Sequence, residues 1–72
     1  MEDFIERLDK EYEELENKVI KLEAFLMDDK KMQQLERIHQ DLLWIQASAM
    51  KTYKNVLRVR IDKLKLDAKT KN

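Results

Sequence analysis

The sequence predicts an all-α protein: an antiparallel helical hairpin of two long helices that assembles into a homo-oligomeric helical bundle. Three observations predict it. The 72 residues include no Gly and no Pro, and 42% are charged, which suits long helices and leaves β-rich folds without turn residues. Apolar residues recur at helical spacing in both halves of the chain. The second half carries more apolar surface than one neighbouring helix can cover. A chain this short forms one domain over residues 1–72 and buries only a thin core, a further reason to expect a partner chain.

The first helix is expected over residues 2–27. Ile5, Leu8, Tyr12, Leu15, Val19, Leu22 and Leu26 follow one another at alternating steps of three and four, a sustained heptad seam. Phe4 and Phe25 flank its ends, and acids crowd its first turns, where they favour the positive end of the helix dipole. The seam breaks at Met27-Asp28-Asp29-Lys30-Lys31, because the next steps would fall on Asp29 and Gln33. A turn is placed at 28–30, with Asp28 or Asp29 able to cap a new helix. The alternative is one continuous, bent helix in a coiled coil.

The second helix is expected over 31–67, followed by a frayed tail at 68–72. One apolar row is Leu35, Ile38, Leu42, Ile45, Ala49 and Val56; another is Leu43, Met50, Leu57 and Leu64. One row can pack on the first helix, and the other then needs a second chain. With the turn centred near Asp28 and Asp29, residues i and j face each other where i + j is near 57. The first helix then ends near Val56, and about ten residues of the second, roughly 15 Å, project beyond it. That overhang would hold Val59, Ile61, Leu64 and Leu66.

The formal net charge of zero hides an asymmetry. Residues 1–29 hold eleven acids and four bases, a balance of −7; residues 30–72 hold eleven bases and four acids, a balance of +7. Such halves attract each other, within or between chains, or present a basic end to an anion. Cys is absent, so there is no disulfide and no thiolate metal site, and the single His39 cannot build a zinc site. No cofactor is expected. Nothing resembles a signal peptide or a membrane span, and the expected compartment is the cytoplasm, of a host cell if the chain is phage-encoded.

Catalytic groups are not evident. Ser48 and His39 lie nine residues apart on one helix and cannot pair within a chain, and there is no phosphate-cradling Gly loop. The basic run from Arg58 to Lys71 could meet phosphates, but the acidic half would repel a long polyanion, so nucleic acid is not the expected partner. A small anion held between protomers avoids that repulsion.

Gln46, Tyr53 and Arg60, at steps of seven, form one stripe along the edge of the apolar face. Arg offers a planar, bidentate phosphate grip, and Tyr a ring and a hydroxyl. The plainer reading has them border a core, with stems buried and tips wet. Trp44 lies off the apolar rows, in phase with Lys51, Asn55 and Arg58. It can act as a stacking platform or as part of another protomer's contact surface. The candidate ligand-binding residues are therefore Arg60, Tyr53 and Gln46, with Lys51, Lys54 and Arg58 as further anion contacts and Trp44 as stacker.

The run Gln46-x-x-Ala49-Met50-x-x-Tyr53-x-x-Val56-Leu57-x-x-Arg60-Ile61 resembles the second helix of small phage proteins of a family related to crAss-like phages. Glu6-Arg7, Glu11-Tyr12-x-x-Leu15 and Lys21-Leu22-Glu23-Ala24-Phe25 agree with it, so that the resemblance covers residues 5–61. It departs at the turn, where Asp28-Asp29-Lys30-Lys31 replaces a longer connection. In outline such chains are similar to sponge proteins that phages use against bacterial immunity. That likeness implies helical-hairpin oligomers that trap cyclic nucleotide or cyclic ADP-ribose signals between protomers without cleaving them. The function expected is a phage-encoded anti-defence sponge, with itself and a small nucleotide-type anion as partners and no enzyme activity. The alternative is a non-catalytic coiled-coil adaptor or assembly protein that binds a host or phage protein.

Overall fold

The structure, a computed structural model, describes residues 2–70. Three helices follow one another: α1 over Glu2–Leu26, α2 over Asp29–Gln33 and α3 over Arg37–Thr70. No strand occurs among the described residues. α1 and α3 lie antiparallel in a rod of 56 × 15 × 14 Å, and α2 closes one end. The continuous bent helix is ruled out by the contacts between the two long helices.

The α1 seam packs as its spacing requires. Ile5, Leu8, Leu15, Val19 and Leu26 are buried, and Tyr12 and Leu22 are half-buried. On α3 the facing row is Ala47, Met50, Lys54, Leu57, Ile61 and Leu64, again at steps of three and four. Leu57 is the best buried of these, at 0% exposed, and it packs with Leu8 and Ile61. The row that contains Met50, Leu57 and Leu64 is thus the one that α1 covers. The other row is open: Ile38, Leu42, Ile45 and Val56 are all exposed.

The reversal takes ten residues, 27–36, and not three. Asp28 leaves the helical region (φ −92°, ψ 94°), and its carboxylate accepts the Lys31 N–H at 3.2 Å, so the expected capping role falls to Asp28. α2 then makes one turn and a half and drops Met32 onto Leu26 and Ala47. Gln40 is half-buried. Its Nε2 donates to the Met32 and Leu35 carbonyls at 2.8 and 2.9 Å, which ties the connection to the first turn of α3. No described residue has a positive φ, so the chain reverses without the backbone freedom that Gly supplies.

The longer connection changes the register. Lys65 Nζ meets Asp9 at 3.3 Å, Lys51 meets Glu23 and Leu8 packs with Leu57 and Ile61, so i + j for facing residues runs from 65 in the core to 74 at the ion pairs, well above 57. The expected overhang is therefore absent: Ile5 lies beside Lys65, Ala68 and Lys69, and Ile61 and Leu64 pack within the hairpin. The helix of α3 also continues through Thr70; Lys71 and Asn72, the end of the tail expected to fray, lie outside the described residues.

Two stability outcomes follow. Leu57→Ala should destabilise the chain by about 2–5 kcal/mol, as cavities in tight cores do, and lower the urea midpoint with little change in slope. Gln40→Ala takes the side-chain donor from the Leu35 carbonyl, while the Met32 carbonyl keeps the Leu35 N–H, and should cost about 1 kcal/mol, read by the same urea titration.

Candidate functional site

The two apolar rows lie on nearly opposite sides of α3, because positions three and four apart share a face and the rows differ by about half a turn. Two flanks remain between them, and these carry the candidate residues. Gln46, Tyr53 and Arg60 run along one flank; Trp44, Lys51 and Arg58 run along the other; Lys54 sits within the row that faces α1. One chain therefore does not gather all seven residues into a single pocket.

The Trp44 flank faces acids. Asp9, Glu16 and Glu23 recur at steps of seven on α1, and Lys65 and Lys51 pair with the outer two. The charge asymmetry of the two halves is thus partly satisfied inside the hairpin. Lys51 is held by Glu23, and Arg58 lines a cleft of about 200 Å³ together with Asp9, Tyr12, Ile61, Asp62 and Lys65. Two carboxylates beside Arg58 oppose an anion there, and the cleft is smaller than the roughly 300–1,000 Å³ of common ligand pockets. Trp44 is 53% exposed on the same flank.

The Tyr53 flank differs. Among the described residues Arg60 forms no ion pair and no hydrogen bond, and its side chain borders two open notches with apolar walls. One, of about 360 Å³, is lined by Phe4, Val59, Lys63 and Leu64 beside Arg60; the other, of about 310 Å³, by Asn55, Val56 and Val59 beside it. Tyr53 lies two turns earlier and is 47% exposed. The Gln46 side-chain nitrogen rests 3.9 Å from the Met50 sulfur of its own helix. An arginine without an ion pair, beside apolar walls, can take a phosphate bidentately while those walls cover a base or ribose.

Phe4 at the Arg60 notch went unread in the sequence. It is 56 residues away from Arg60, and only the register of the folded hairpin unites them. The full extent of the open row was also missed, although its signal was available: the steps 38, 42, 45, 49, 52, 56, 59 alternate four and three throughout.

Among the described residues no three His, Cys, Asp or Glu side chains could hold a metal ion together. No helix is long and apolar enough to cross a membrane. In comparisons with known proteins, the model of a family described as Sequestin matches residues 2–63. No curated protein and no solved structure matches the chain.

Two substitutions separate structural from binding roles here. Lys51→Ala removes an exposed ion pair and should cost below about 1 kcal/mol, less still in high salt, measured by urea titration. Lys54 is a half-buried charge at a seam position. Lys54→Leu should therefore raise the urea midpoint, by about 1 kcal/mol of stability, through added apolar burial.

Proposed function

The chain belongs to the Sequestin family, and on that premise we propose that it is a phage-encoded anti-defence sponge, which binds and sequesters a cyclic nucleotide-type immune signal at subunit interfaces without cleaving it. The family name points to holding a ligand rather than converting it. The observation that carries the ligand class is Arg60: an arginine without an ion pair among the described residues, whose side chain borders two apolar notches, with Tyr53 two turns earlier on the same flank. Phosphate takes the fork of Arg60, and a nucleobase takes the faces of Tyr53 and the apolar walls. Gln46 lies on that flank, and Lys54 sits in the row that faces α1. Trp44, Lys51 and Arg58 lie on the other side of α3 and reach the same ligand only from a neighbouring chain. No nucleophile–base pair is needed for such a protein, because its output is a lowered free concentration of the signal.

A second reading is a non-catalytic adaptor that binds a host or phage protein. The open apolar row of α3 favours it, since a helix of another protein can lie along such a face. Titration calorimetry with a cyclic dinucleotide, a cyclic trinucleotide and cyclic ADP-ribose separates the two. The sponge should bind at least one of them and release it chemically intact on heating, as read by mass spectrometry. Arg60→Ala should weaken that binding at least about tenfold, the usual scale of a lost charge-assisted hydrogen bond. No binding of any of the three, or recovery of a hydrolysed product, overturns the sponge; unchanged affinity in Arg60→Ala removes Arg60 from the site.

A further inference from the structure

We propose that the open row of α3 is a self-pairing seam, which takes the same seam of a second copy in antiparallel orientation about a twofold axis at Thr52. The row begins at Ile38 and ends at Leu66, each fourteen residues from Thr52, and both are exposed. Its alternating steps of three and four are the spacing that lets one helix interlock with another along its whole length. The span is about 42 Å at 1.5 Å per residue. A monomer that leaves such a stripe to water is disfavoured.

The identity of the occupant follows from what a second copy can offer. The outer face of α1 is charged, with Glu6, Glu13, Lys10, Glu14, Lys18 and Lys21 all exposed. It has no apolar row to present. The open row of α3 is the long apolar face of the hairpin, so copies meet α3 to α3, with the two α1 helices outside. An interface between identical chains about a twofold axis must match itself, and this row does. In antiparallel register Ile45 stands level with Val59, Ala49 with Val56, and Thr52 with its own copy. Leu42 stands level with Lys63. The Lys63 ammonium is held by Asp67 of its own helix at 2.8 Å, which leaves its methylenes to cover the leucine.

Charge selects the orientation. A parallel pair would set the seam residue Lys63 against its own copy, like charges at close range. The antiparallel pair sets Arg60 level with Gln46 of the second copy and Tyr53 beside its own copy. Two equivalent half-sites result, each with Arg60 from one chain and Gln46 from the other, about 21 Å apart along the axis. The half-sites rest on the sponge reading; the pairing itself stands on the seam alone.

Sedimentation equilibrium of the full chain at micromolar concentration tests the pairing. The expected mass is twice 8.8 kDa. The mass of one chain, or of three or more, overturns it. Val59→Glu should raise the dimer dissociation constant at least ~100-fold while the helical circular dichroism persists; if the helical signal is lost, Val59→Ser gives the same comparison. An unchanged mass in the folded variant overturns the assignment of the seam. The natural chain has no Cys, so orientation can be read by disulfide formation. Ala49→Cys mixed with Val56→Cys should give the mixed disulfide, and Ala49→Cys alone should give none. A disulfide between two Ala49→Cys chains overturns the antiparallel arrangement. The outcomes are separable from those of the sponge: a dimer that binds no cyclic nucleotide retains the pairing and loses the sponge, whereas a monomer that binds one loses the pairing and the subunit-interface site but keeps sequestration.

Discussion

A helix with apolar rows on two opposite sides cannot be satisfied by a single neighbour, and α3 is such a helix. One row, centred on Leu57, is closed by α1; the other, from Ile38 to Leu66, faces outward. The antiparallel hairpin is the arrangement that a short chain can reach by itself, because its second helix folds back on its first. It covers at most one row. The architecture therefore closes one apolar row and leaves the other exposed, with the polar flanks between them.

The polar flanks have different fates inside one chain. On the Lys51 side, acids at steps of seven on α1 meet bases at steps of seven on α3, as in Asp9–Lys65 and Glu23–Lys51. These exposed pairs contribute little stability each, but they favour the observed register over shifted ones. On the Arg60 side, apolar notches and an exposed Tyr adjoin a guanidinium without an ion pair among the described residues. Electrostatic capacity is spent on the first flank and left available on the second. Membership in the Sequestin family gives that availability a direction, toward holding a ligand.

The connection shows how a chain without Gly or Pro reverses. Asp28 ends one helix and starts the next, Met32 fills the end of the core, and the Gln40 amide donates to two carbonyls of the turn. Each contact is modest, and together they replace the left-handed residue that a tight turn uses. They also lengthen the reversal, and this length decides which residues of α1 and α3 meet.

Much of the fold was legible in the sequence. The heptad steps from Ile5 to Leu26 determined the buried face of α1, because a helix has a fixed period and can bury only what that period aligns. The double row of α3 and a capping Asp at 28 or 29 were legible for the same local reason; the structure chose Asp28. The register was not. The rise in i + j above 57 comes from Met32 and Gln40, whose partners lie in other elements and leave no periodic trace. Which row of α3 faces α1, the fate of Ile61 and Leu64, and the meeting of Phe4 with Arg60 all follow from that shift. Local spacing determined the faces of the helices; tertiary packing decided which faces met, because the length of a turn is set by contacts that form only when both helices are in place.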